Sequence, residues 1–120
     1  MRTVAALLCA LPFATLAAPA PQAQAEIEHL ISYIASAQGC RFNRNGSWHD
    51  MAEARGHVTL KYEYLRDRDR VSTAEDFIDG AASRSTLSGK DYLVQCGSSA
   101  PVPAGAWLRE ELARWRVPRG

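Results

Sequence analysis

Two cysteines far apart in the chain, Cys40 and Cys96, limit what this sequence can fold into more than any other feature. A third, Cys9, lies in a stretch that reads as an export leader, so the mature chain keeps an even pair in an oxidising compartment. The expected outcome is one disulfide joining Cys40 to Cys96. The chain-entropy model assigns a ring of this size about 4 kcal/mol before native strain is subtracted. A reactive CxxC pair is excluded by the spacing, and two isolated thiols fall short of the ligand set of a structural zinc site. The bridge also fixes topology. The short alternating run Cys40–Arg44 must lie beside the run that ends at Cys96, because a disulfide holds its Cα atoms roughly 4.4–6.8 Å apart.

The leader itself has three parts. Arg2 precedes an apolar run from Val4 to Leu16, and Ala23-Gln24-Ala25 supplies an A-x-A exit. Residues 1–25 therefore read as a cleaved signal and residues 26–120 as one domain, with cleavage before Glu26; a cut after Ala18 would place Pro19 next to it and is the weaker choice. Pro12 breaks the run and Ala dominates over Leu, whereas a spanning helix needs roughly 20 strongly apolar residues. No stable membrane insertion is expected after cleavage. Lys and Arg number 14 against 13 Asp and Glu, and the leader removes Arg2 and no acid, so the mature side chains balance. That balance argues against nucleic acid, or any partner held by bulk charge.

Helical spacing of Ile27, Leu30, Ile31 and Ile34 predicts a helix over Glu26–Ala37, stopped by Gly39. Asn45-Gly46 is a turn signal after the run Cys40–Arg44. Ser47 and Asp50 resemble a capping box opening the longest helix, about Trp48 to Arg66, whose buried stripe is Met51, Ala54, Val58, Tyr62 and Leu65. Thr73 and Asp76 cap a short helix carrying Phe77 and Ile78. Ser83–Gly89 is a polar loop, Tyr92–Cys96 a strand, Gly97–Pro103 a second loop, and Ala104–Arg116 a last helix with Leu108, Leu112 and Trp115 on one side. The expected fold is α+β and mostly α: about four helices, a small antiparallel sheet of two or three strands, and one disulfide.

Read in order, Cys40-x-Phe42-x-Arg44-Asn45-Gly46, Glu53-Ala54-x-x-His57-Val58-x-x-Lys61, Thr73-Ala74-Glu75-Asp76-Phe77-Ile78, Ala82-Ser83-x-Ser85-x-x-Ser88-Gly89-Lys90-x-Tyr92-x-Val94-x-Cys96 and Trp107-Leu108 resemble the YfeK-like family. These are small bacterial periplasmic proteins with a domain of unknown function. Val58 departs from the Leu more common there, a minor apolar change. The resemblance spans nearly the whole mature chain and implies a Gram-negative periplasmic protein. It supplies no reaction and no catalytic residues.

Glu53, His57 and Lys61 stand one turn apart on the long helix and flank its buried stripe. One reading is a small polar site, in which Glu53 orients His57 and Lys61 holds an anionic group. The other is an exposed ladder of intrahelical pairs, each contributing a few tenths of a kcal/mol. The Ser85-x-x-Ser88-Gly89-Lys90 loop offers hydroxyls to an anion, or else only turns the chain. Arg44 and Asn45 sit beside it if the cysteines are joined. The candidate ligand-binding set is therefore Arg44, Asn45, Glu53, His57, Lys61, Ser85 and Ser88. His49, Glu53 and His57 do not match H-E-x-x-H, and no metal or cofactor is expected. No complete catalytic signature is present. The leading expectation is a noncatalytic module for a small polar or anionic ligand or an envelope partner. The alternatives are an envelope-acting hydrolase or transferase using His57 with Ser85 or Ser88, and a structural or chaperone-like interaction protein with an exposed apolar patch.

Overall fold

The computed structural model describes residues 19–118. The run Val4–Leu16 and Cys9 of the expected leader lie outside the described residues. Helix α1, Pro21–Ser36, begins with proline at its first position, where the fixed φ suits a helix and no N–H is missed. It starts five residues before the expected Glu26, and the Ala20 carbonyl accepts from Gln24 N–H at 2.9 Å. Ile27, Leu30 and Ile34 form its buried face. The chain then reverses through Gly39, whose φ of 72° is open to glycine.

Strand β1, Cys40–Arg44, and strand β2, Ser47–His49, form a hairpin in which Arg44 faces Ser47 and Phe42 faces His49. Its two-residue loop has φ of 53° at Asn45 and 86° at Gly46, the doubly left-handed turn that Asn-Gly favours. The hairpin overturns one expectation. Trp48 belongs to β2 because this turn continues directly into a paired strand, so helix α2 begins only at Met51 and runs to Arg66. Its cap is Asp50, which accepts from Glu53 N–H at 2.8 Å, and Ser47 takes no part.

Helix α3, Ala74–Phe77, opens with the expected reciprocal Thr73–Asp76 capping box. It passes into a π-helical turn, Ile78–Ala82, and the buried Ser83 hydroxyl donates to the Ile78 carbonyl at 2.7 Å. Strand β3, Leu93–Cys96, pairs with the free side of β1, setting Cys40 opposite Cys96 and Phe42 opposite Val94. The Cys40–Cys96 disulfide is present, with Cα atoms 4.0 Å apart. A two-residue strand β4, Val102–Pro103, adds to β3, so the sheet has four antiparallel strands in the order β2-β1-β3-β4 and not two or three. Its proline sits at the sheet edge, where a missing donor is tolerated. Helix α4, Ala104–Trp115, follows at once.

The fold is thus α+β. α2 packs on α1 and β1, and α4 packs on β3, β4 and the π turn. Ile27, Leu30, Val58, Phe77, Ile78 and Leu108 meet at its centre with no exposed surface. Each such side chain contributes roughly 1.5–3 kcal/mol from burial. Trp115 does not join them; it stays 38% exposed and stacks on His29 with ring centroids 3.7 Å apart. Among the described residues, no helix is long and apolar enough to cross a membrane.

Candidate functional site

The disulfide-pinned β1–β3 pair presents Arg44 and Tyr92 toward the border of α2, where His57 and Lys61 stand one turn apart. Tyr92 is buried to 2% exposure just before β3, its ring tilted against Phe42 at 5.2 Å. A buried tyrosine must find partners for its hydroxyl. Here they are His57 Nε2 at 3.0 Å and Lys61 Nζ at 3.4 Å. Lys61 also donates to the Arg84 carbonyl at 2.7 Å.

The direction of these bonds follows from Arg44. Its Nη1 lies 2.6 Å from His57 Nδ1, and a guanidinium can only donate. Nδ1 is therefore the acceptor, the imidazole is neutral, and Nε2 carries the hydrogen given to Tyr92. Burial, reinforced by the charges of Arg44 and Lys61 and by neighbouring His49, holds the imidazole below its ordinary pKa. Burial, with Arg84 adding to it, likewise lowers Lys61. Burial raises the Tyr92 phenol, against an opposing pull from Arg44. Tyr92 Oη thus accepts two hydrogens while keeping its own, and no acceptor for that proton exists among the described residues.

These groups line an open pocket of about 380 Å³, together with Asn45, Ser85, Thr86 and Leu87. Arg44 and Lys61 are its two cations, and no carboxylate lines it. A smaller recess of about 190 Å³ adjoins it, sharing Arg44 and His57 and adding Phe42, His49, Glu53 and Ala54.

Most of the candidate set is brought together. Ser88 Oγ donates to Asn45 Oδ1 at 2.7 Å, Asn45 Nδ2 donates to Ser85 Oγ at 3.4 Å, and Ser85 Oγ accepts from Ser88 N–H at 3.2 Å. The β-turn and the serine loop are thereby clasped, and Ser88 acts on the clasp while Ser85 faces the pocket. Glu53 falls outside. It bonds His49 Nδ1 at 2.8 Å and makes no hydrogen bond or ion pair with His57, so it does not orient that imidazole. The intrahelical Glu53–His57–Lys61 ladder does not form either, because His57 and Lys61 turn to partners on other elements. Both imidazole nitrogens are engaged by Arg44 and Tyr92, and neither serine hydroxyl is bonded to His57. Sequence reasoning missed Tyr92 as a site group. Its signal was a polar-tipped aromatic on the inward face of an otherwise apolar strand.

A small α+β domain with one cross-strand disulfide and a cation-lined pocket is the class that fold and site define. Residues 21–116 match the model of a family of unknown function, DUF5329, and the chain belongs to that family. It is also similar to the uncharacterized protein YfeK of Salmonella typhimurium, 39% identical over 69 residues. That alignment covers 58% of this chain and 56% of the relative, so the chain matches little more than half of its length. No solved structure matches.

Proposed function

We propose that this chain is an exported, periplasmic, noncatalytic module that binds a small anionic ligand between Arg44, Lys61 and Tyr92. One observation carries the reading: two cations and an unspent phenol hydrogen converge on a pocket that no carboxylate lines. Unlike structural ion pairs, these charges have been brought together without a counter-charge, and an anion supplies it. Arg44 is positioned by His57, Lys61 by the Arg84 carbonyl, and the loop by the Asn45–Ser88 clasp, so the donors are preorganised. The hydrolase reading has less support, since neither imidazole nitrogen is available to a serine proton. The paired disulfide and the leader-like N-terminus support export.

Calorimetric titration with inorganic phosphate and with acetate tests the site. Wild type should bind at least one of them, and Lys61→Ala or Arg44→Ala should weaken it about tenfold or more, as expected for a hydrogen bond to a charged group. Absence of binding by wild type, or binding by both variants as tight as wild type's, would sink the reading. The mass of protein recovered from a periplasmic fraction tests export and distinguishes a cut before Glu26 from one after Ala18. The first cut would shorten α1 by its opening five residues.

A further inference from the structure

We infer that the ligand of this site is an amphiphile, an anionic head seated between Arg44 and Lys61 with an alkyl chain leaving across Leu87. This rests on the anion-site reading above and specifies what the anion carries. Leu87 lines the cationic pocket and is nevertheless 99% exposed. That exposure is imposed by a well-bonded loop. Ser85 N–H donates to the Lys90 carbonyl and Gly89 N–H to the Ser85 carbonyl, both at 2.9 Å, while Ser88 is clasped to Asn45. Leu87 is the apolar residue among the serines, threonine and glycine of this segment, and it is held at the lip of the pocket. The pocket floor is thus charged and its lip carries one exposed apolar side chain, Leu87.

Those two characters select the ligand. A bare inorganic anion would use Arg44, Lys61 and the Tyr92 hydroxyl and leave Leu87 in water. An uncharged alkane would gain at Leu87 and bury two unanswered cations. Only a molecule with a charged end and a hydrocarbon end satisfies both. The same head-and-chain chemistry exists in a free single-chain amphiphile and in an anionic lipid within a bilayer.

The test uses ethyl, butyl, hexyl and octyl phosphate below their micellar concentrations, titrated into wild type and Leu87→Ser. Ser replaces an almost fully exposed side chain, so the fold is unaffected. Affinity should rise about twofold per added methylene in wild type, half the value for complete burial. In Leu87→Ser the rise should flatten while ethyl phosphate binds as before. An equal chain-length dependence in both proteins overturns the amphiphile inference and leaves the anion site standing. Failure of every alkyl phosphate, ethyl included, overturns the anion site itself. Flotation with phosphatidylglycerol vesicles separates the sources. Vesicle binding that is lost in Leu87→Ser identifies a bilayer lipid, and octyl phosphate binding without vesicle binding identifies a free amphiphile.

Discussion

Two charged clusters lie on different parts of this small domain, and they are built on opposite principles. At one, Arg116 beyond the end of α4 is gripped by two carboxylates. Its Nε and Nη2 donate to Glu26 at 2.7 and 2.9 Å, and its Nη2 and Nη1 to Glu75 at 2.8 and 3.1 Å. The bonds tie α1, α3 and the end of α4 together, and they hold the guanidinium well above its usual pKa. At the other, Arg44 and Lys61 share a pocket with His57 and Tyr92 and with no carboxylate, the nearby Glu53 being taken by His49. The first cluster is complete without a ligand. The second holds two cations that no carboxylate answers, the charge the proposed anion would supply. Matched charges mark structure here, and the proposal places the ligand where they are unmatched.

The contrast can be broken at several points. Replacing both cysteines with alanine should have the largest effect, up to about 4 kcal/mol of stability by the loop-entropy model. Because β1 and β3 carry the elements bearing Arg44 and Tyr92, anion affinity should fall with it, while hydrogen-exchange protection near Glu26 and Arg116 should persist under native conditions. Equal loss of protection at both clusters would show that the bridge does not act locally. Next comes Glu26→Gln. Glu26 is buried while Arg116 is only partly covered and keeps Glu75, so losing the charged hydrogen bonds should cost roughly 1.5 kcal/mol in urea denaturation. Phosphate binding should be unchanged. Lys61→Met should reverse that pattern. It relieves a part-buried cation of its desolvation and of the nearby Arg84 charge but also loses the bond to the Arg84 carbonyl, so stability should move by less than about 0.5 kcal/mol. Anion binding should nonetheless collapse. A large destabilisation by Lys61→Met would place this lysine among the structural charges.

What could be read from the sequence was what local chemistry determines. Asn45-Gly46 needs left-handed backbone and obtained it, Thr73 and Asp76 cap each other across three residues, and two cysteines 56 residues apart find one another. The helical wheel also placed His57 and Lys61 correctly at the border of the buried stripe. It failed where pairing is decided across the fold. Glu53 has a histidine four residues to either side, and periodicity cannot say that His49 takes it while His57 turns to Arg44 and Tyr92. Val102–Pro103 is too short to show a strand period and contains a residue that argues against one. The Glu26–Arg116 pair joins residues 90 apart, beyond the reach of any local pattern.

The smallest expected effect separates the clusters by pH. The folded protein holds His57 below its ordinary value of 6.5, chiefly by burial and then by Arg44. The unfolded chain therefore binds a proton there first. The stability contributed by neutral His57 is intact above pH 6.5 and declines as pH falls from there through the folded value. The Arg116 cluster has a later onset. Glu75 is held below 4.5 mainly by its bond to Arg116, and outside that cluster Glu111, though burial raises it, is lowered overall by His29 and Arg114. Their contribution is intact above 4.5 and fades below it. Urea midpoints measured across pH 3–7 should thus show two successive declines. His57→Gln should remove the upper one and leave the lower, and Glu75→Gln should reduce the lower one and leave the upper. A single decline below pH 4.5 in wild type would mean that the Arg44–His57 bond survives protonation, which two mutually repelling cations do not permit.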